Sequence, residues 1–69
     1  MKNRVEDCRG HCVCLYDNET GCVEKREGQK SSFFFLSIGQ NCRFQNGGVV
    51  TILTRISATE YLLDTYEAA

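Results

Sequence analysis

Short runs of β-forming residues recur along the chain, and turn-forming residues separate them. Runs at residues 13–16, 22–25, 42–45 and 49–56 predict strands. Between the last two runs, Asn46-Gly47-Gly48 predicts a hairpin, because asparagine and glycine tolerate the left-handed backbone that a tight turn needs. These features predict an antiparallel sheet.

A different periodicity, at helical spacing, occupies residues 57–69. Ser57 and Glu60 match the Ser-x-x-Glu capping box, in which each side chain accepts a hydrogen bond from the backbone N–H of the other residue. Ile56 and Tyr61 match the hydrophobic staple that often accompanies such a cap. A stripe of residues repeats at the helical period: Ala58, Tyr61, Leu62, Thr65, Tyr66 and Ala69. Together these features predict a C-terminal amphipathic helix.

Residues 33–38 are rich in β-forming residues and place apolar side chains at positions of both faces. That pattern predicts a central strand buried on both sides. Three successive phenylalanines also give more aromatic surface than so small a core can absorb, and exposed aromatic side chains make good interface anchors. Phe33, Phe34 and Phe35 are therefore candidate partner-binding residues as well as candidate core residues.

The chain of 69 residues is short enough to form a single domain. We divide it into a cysteine-rich front (1–22), a charged connector (23–32), a β-rich centre (33–56) and the helix (57–69). The predicted class is α+β, with a small antiparallel sheet of about four to five short strands and the C-terminal amphipathic helix packed across or beside it. Because a core of this size leaves little stability margin, we expect the cysteines to staple the fold.

The only histidine and four of the five cysteines lie within fifteen residues of the front. Three hypotheses account for this cluster. Disulfide bonds would join cysteines within the cluster or link it to the distant fifth one, the candidates being Cys8, Cys12, Cys14, Cys22 and Cys42. A structural zinc ion would take its ligands from Cys8, His11, Cys12, Cys14 and Cys22. In the third hypothesis, all the thiols are reduced and pack as small hydrophobic side chains.

Two family resemblances bear on the cysteines. The spacing Cys8-x3-Cys12-x-Cys14-x7-Cys22 is similar to the cysteine run of von Willebrand factor type C modules, although the other cysteines of such a module are absent. The short β-rich chain, with an early cysteine and another about 30 residues later, also resembles fungal MAX-type effectors. The second resemblance implies a secreted six-stranded sandwich that binds host proteins, and the predicted helix departs from that pattern.

Charge and size narrow the classes of function. Eight Lys and Arg against nine Asp and Glu leave a net charge of −1, without the clustered positive charge that nucleic-acid binding needs. His11 and Cys12 are the residues typical of a nucleophilic dyad, but a chain this small offers little room for a substrate pocket. We therefore expect no enzymatic activity. We expect a small protein that binds and modulates or inhibits a partner protein. The sequence does not identify a cofactor, and a structural zinc ion is the candidate.

The front of the chain also permits two alternative functions. One is a zinc-stabilised nucleic-acid-binding regulator whose basic patch would contain Arg4, Arg9, Lys25, Arg26 and Lys30. The other is a secreted, disulfide-bonded effector. In the partner-binding protein that we expect, an unpaired edge strand would also allow strand addition or a homodimer.

The expected location depends on the first residue of the chain. No apolar run is long enough to span a bilayer, and the first residues lack the apolar core of a signal peptide, so we expect no membrane partner. A cytoplasmic location follows if Met1 is native, and a secreted one follows if Met1 was added for expression.

Overall fold

The protein is an all-β structure of seven strands, with no helix in residues 2–68, which are the residues that the computed structural model describes. It follows that no helix in this part of the chain is long and apolar enough to cross a membrane. In chain order the strands are β1 (Lys2–Glu6), β2 (Cys12–Asp17), β3 (Cys22–Glu27), β4 (Lys30–Phe35), β5 (Asn41–Asn46), β6 (Val49–Arg55) and β7 (Tyr61–Glu67).

The strands form two antiparallel sheets. Sheet A has four strands in the order β1-β2-β3-β4, and sheet B has three in the order β5-β6-β7. Each strand therefore pairs only with its neighbours along the chain, as short turns between antiparallel strands allow. Residues 36–40 connect the two sheets.

Glycines close the turns where the backbone must be left-handed. Gly47 and Gly48 have φ angles of 58° and 79° and join the paired residues Asn46 and Val49. Positive φ at both central residues is what the preferred two-residue hairpin turn requires. The hairpin predicted here is confirmed. Strands are also confirmed at the predicted runs, to within a residue or two at their ends.

The hydrophobic core lies between the two sheets. Both sheets contribute to one buried cluster, which consists of Val5, Cys14, Tyr16, Val23, Leu36, Phe44 and Leu53. At its edge the rings of Tyr16 and Tyr61 meet edge-to-face, with centroids 5.0 Å apart. Because side chains alternate along a strand, each sheet has a core face toward this cluster and an outer face away from it.

The predicted C-terminal helix is wrong, and with it the α+β class. The segment Tyr61–Glu67 is β7, which pairs with β6 along its whole length. Its tyrosines and threonine suit a strand, because aromatic and β-branched side chains pack well on a pleated surface. Ala69, which was counted in the helical stripe, lies outside the described residues.

The capping-box residues close the turn between β6 and β7 instead of starting a helix. Ser57 Oγ accepts the N–H of Glu60 at 3.0 Å and donates to a carboxylate oxygen of Glu60 at 3.3 Å. These contacts are close to those of a helix cap. However, the N–H groups of Ile56 and Ser57 both donate to the backbone carbonyl of Glu60, at 3.1 and 3.2 Å, which turns the chain back along β6.

The apolar run at residues 33–38 is not a buried central strand. Its first half belongs to β4, which is an edge strand of sheet A and is exposed along its whole length. The connector at residues 23–32 is mostly strand, because β3 and β4 extend through it and turn at Gly28, where φ is 63°. Of the segment expected to fill the core, Leu36 is buried there, whereas the three phenylalanines and Ile38 are exposed.

Candidate interaction surface

The edge of β4 carries three consecutive exposed aromatic side chains. Phe33, Phe34 and Phe35 are 60%, 37% and 67% exposed. Phe34 lies opposite the buried Val23 and so belongs to the core face of sheet A. Phe33 and Phe35 therefore lie on the outer face. The candidate partner-binding residues are on the surface, as an interface anchor must be.

The backbone of β4 alternates between bonds to β3 and positions that point outward. Glu27 and Lys30 close the two-residue turn between these strands, and the residues flanking such a turn exchange hydrogen bonds with each other. At the other end of β4, the N–H of Leu36 donates to the carbonyl of Gly21 at 2.8 Å, as the same alternation requires. The residues whose N–H and C=O point toward the free edge are therefore Ser31, Phe33 and Phe35.

Charged or polar residues protect the other sheet edges more than they protect β4. β1 has three charged residues among its five, and β7 has two among its seven. β5 has the largely polar sequence NCRFQN. In β4 the only charged residue is Lys30. β5 also has a single charged residue, so what distinguishes β4 is that its second half is entirely aromatic. Since charged and polar side chains at an edge discourage pairing with another chain, β4 is the edge most open to it.

A buried carboxylate fixes the outer face of sheet A beside Phe33. Glu24 lies opposite Phe33, and its oxygens accept hydrogen bonds from Lys2 Nζ and Arg26 Nε, each at 2.9 Å. These bonds hold the pKa of Glu24 below its ordinary value. Because Lys2 is on β1 and Glu24 on β3, the contact ties two strands together across β2. Glu24 was not among the site residues predicted from the sequence; the available signal was Arg26, two residues on and hence on the same face of a strand.

All five cysteines are free thiols, and the structure does not support the predicted disulfide framework. Cys8 and Cys12 are exposed, Cys22 and Cys42 are half-buried, and Cys14 is in the core. Burial raises the pKa of Cys14 to about 12 and that of Cys42 to about 11. These two thiols are therefore protonated at neutral pH and pack as small hydrophobic side chains.

The candidate zinc ligands do not come together. Cys14 is buried in the core while Cys8 and Cys12 are exposed, and Cys22 is on the next strand. Within residues 2–68, no group of three His, Cys, Asp or Glu side chains is placed to hold a metal ion. The structure therefore does not support a zinc site.

Asp7 and His11 have a local role in the loop between β1 and β2. Asp7 Oδ1 accepts the N–H groups of His11 and Arg9, each at 2.9 Å. The bond from His11 is the main reason that the pKa of Asp7 is lowered. His11 Nδ1 lies 3.9 Å from Asp7 Oδ2. Asp7 and His11 thus stabilise the loop between β1 and β2, and their contacts do not form part of a metal site.

The candidate basic residues do not form a patch. Lys25 and Arg26 are successive residues of β3 and so face opposite sides of sheet A. Four of the five lie beside a carboxylate: Arg4 beside Glu6, Arg9 beside Glu67, Lys25 beside Glu27 and Arg26 beside Glu24. This arrangement does not favour nucleic-acid binding, which needs positive charge on one face.

A cavity of about 300 Å³ opens between the sheets near the loop that joins β1 to β2. Its walls include His11 and Cys12, together with Lys25 and Phe44. Lys25 Nζ lies 5.4 Å from the centre of the Phe44 ring and 3.3 Å from a Glu27 oxygen. In the walls of this cavity, Lys25 contacts Phe44 and Glu27, and His11 contacts Asp7. These polar groups are engaged within the fold, so the open edge of β4 is the better candidate site.

Comparisons with known proteins gave no relative. No family model, no curated protein and no solved structure matched the chain. The two resemblances noted for the cysteine spacing and the β-rich sequence therefore gain no support.

Proposed function

We propose that the protein binds an extended segment of a partner protein, which adds to sheet A as a strand beside β4. The observation that carries the proposal is the open edge itself. Ser31, Phe33 and Phe35 direct their backbone hydrogen-bonding groups outward, and both phenylalanine side chains are exposed. In strand addition, main-chain bonds provide affinity and alternate side chains provide specificity. By holding such a segment, the protein would modulate or inhibit its partner.

The aromatic pair sets the preferred sequence of the bound segment. Phe33 and Phe35 are two residues apart on the outer face, so an added strand would place alternate side chains against them. We expect apolar or aromatic residues at those alternate positions. Lys30, at the start of β4, favours an acidic residue at the corresponding end of the segment.

A backbone substitution tests the proposal while changing the surface little. Proline at position 31 removes an N–H that faces the free edge and leaves the bonds between β3 and β4 in place. Peptides selected from a displayed random library should lose about tenfold or more in affinity for S31P. S31A, the matched control, retains the N–H and should bind as the wild type does.

Amide hydrogen exchange on the same complexes shows where the peptide binds. The N–H groups of Phe33 and Phe35 should become protected when peptide is added, whereas that of Phe34 is bonded to β3 in both states. Equal affinity for S31P and wild type, with no new protection in β4, would refute strand addition. If S31P converts a wild-type dimer into a monomer, the occupant of the edge is a second copy of the chain.

A further inference from the structure

The outer face of sheet B has an apolar centre that the hydrophobic core does not use. Val50 is fully buried yet is not part of the core cluster, and Ile52 lies beside it on the same face. Leu62 and Tyr66 flank them on β7 and are 58% and 43% exposed. This face is on the opposite side of the molecule from the outer face of sheet A, so it is separate from the surface proposed above.

Charges of opposite sign stand on either side of this apolar centre. In the register of sheet B, Arg43 on β5 and Asp64 on β7 both lie opposite Ile52 on β6, which puts all three in one row across the outer face. Arg43 and Asp64 are therefore about two strand spacings apart, roughly 10 Å. Among the ion pairs recorded for residues 2–68, none includes either of them.

A row with this order of charges is complementary to itself. Two copies can meet face to face around a two-fold axis that runs parallel to β6, passes through Ile52 and lies in the plane of contact. This rotation places β5 of one copy opposite β7 of the other. Arg43 then faces the partner's Asp64, and Asp64 faces the partner's Arg43. An axis perpendicular to the strands would instead place Arg43 opposite the partner's Arg43, where like charges repel.

We propose that the protein forms a symmetric homodimer through the outer face of sheet B. Ile52 lies on the two-fold axis, and two Arg43–Asp64 ion pairs fix the orientation. The same register places Leu62 and Tyr66 over the partner's Asn41 and Gln45, whose side chains cover them. The same surface patch serves both copies, as a two-fold interface requires. Aligned packing of two sheets face to face is an ordinary arrangement for antiparallel structures. Such a dimer leaves both β4 edges open and presents two equivalent binding edges.

Charge reversal provides the test, with molecular mass measured by sedimentation equilibrium over a range of protein concentrations. In R43E the introduced carboxylate faces the partner's Asp64, and in D64R the introduced guanidinium faces the partner's Arg43. Each variant should raise the dimer dissociation constant by about tenfold or more. An equimolar mixture of R43E and D64R should form a heterodimer, because both facing pairs are then of opposite sign. The double variant R43E/D64R should recover the homodimer.

Further variants separate this interface from the others. I52K should give a monomer whose circular dichroism matches that of the wild type, whereas S31P should remain a dimer. A wild type that is monomeric at all concentrations would overturn the proposal. A dimer that S31P disrupts while R43E and D64R do not would also overturn it, since the copies would then meet at β4. A mixture of R43E and D64R that stays monomeric would do the same.

Discussion

The guanidinium group of Arg55 lies against Gly21, so that a Cβ atom on this glycine would stand 2.5 Å from Arg55 Nη1 and 2.5 Å from the carbonyl oxygen of Leu36 that Arg55 binds. Arg55 Nη1 donates to the carbonyl of Leu36 at 2.9 Å, and Nη2 donates to the carbonyl of Ala58 at 3.1 Å. Arg55 is on sheet B, whereas Gly21 precedes β3 of sheet A. This arginine therefore ties turns of the two sheets together, and it fits only because position 21 has no side chain.

Gly21→Ala should destabilise the fold by about 2 kcal/mol or more, because it combines a left-handed φ of 79° with this collision. Urea denaturation measures the change in the free energy of unfolding. Gly10→Ala is the matched control, since Gly10 has a φ of 81° and no atom within 4 Å of its added Cβ. The control should lose clearly less stability. Equal losses in the two variants would contradict the close packing of Gly21 against Arg55 and the Leu36 carbonyl.

Tyr16→Phe should leave stability unchanged or raise it by up to about 1 kcal/mol. The hydroxyl of Tyr16 is buried, and it has no hydrogen-bond partner in the described part of the chain. Its removal therefore relieves a desolvation cost, while the ring keeps its contact with Tyr61. Leu53→Ala, a truncation in the same core, should cost about 2 kcal/mol or more in the same thermal or urea measurement. A comparable loss for Tyr16→Phe would show that the hydroxyl has a partner.

Glu24→Gln should lower stability at neutral pH and lose that effect in acid. The pKa of Glu24 in the fold lies below its ordinary value of 4.5, mainly because Lys2 and Arg26 donate hydrogen bonds to the carboxylate. Its contribution to stability is therefore present above pH 4.5 and is lost as the pH falls through the folded-state pKa.

Unfolding free energies of wild type and Glu24→Gln, measured at pH values on both sides of 4.5, should converge at the acid end. Glu27→Gln removes an exposed carboxylate beside Lys25 and should have a smaller effect at neutral pH. A gap between wild type and Glu24→Gln that stays constant from neutral to acid pH would exclude the proposed ion-pair contribution.

Thiol-specific alkylation under native conditions should modify Cys8 and Cys12 first and Cys14 and Cys42 last. The first two are exposed. For the last two, burial restricts access and raises the pKa of the thiol, and the thiolate is the reactive form. Peptide mapping by mass spectrometry gives the order. In denaturant all the cysteines should react alike, and fast labelling of Cys14 in the native protein would contradict its place in the core.

The parts of the fold that the sequence predicted correctly are those fixed by local chemistry. Asn46-Gly47-Gly48 specifies a tight turn wherever it occurs between strands. Half of the predicted capping box is also present, since Ser57 Oγ accepts the N–H of Glu60, but the N–H of Ser57 donates to the backbone carbonyl of Glu60 and not to its side chain. The helix inferred from this pair was wrong. A hydroxyl that accepts N–H groups two and three residues later can close a hairpin or cap a helix. Here the pairing of β7 with β6 decides in favour of the hairpin, and this long-range pairing cannot be read from the local sequence.

The candidate site was predictable only in part, for a related reason. Phe33, Phe34 and Phe35 stood out as more aromatic surface than the core could absorb, and they are exposed. The run at residues 33–38 nevertheless has the composition of a central strand. It becomes an edge because residues 36–40 carry the chain into the other sheet, a fact of topology. The cysteines form no common site because Cys14 is buried while Cys8 and Cys12 are exposed, and Cys22 lies on the next strand.

The meander order of both sheets has a consequence for how the chain folds. Every ladder joins consecutive strands, so the entropy cost of closing each loop is small. The non-local step that remains is the meeting of the two core faces, with residues 36–40 as the covalent tether. We therefore expect the rate-limiting step of folding to be the association of the two sheets. Truncation of Tyr16 or Tyr61, whose rings meet between the sheets, should slow refolding more than substitutions in the outer strands do.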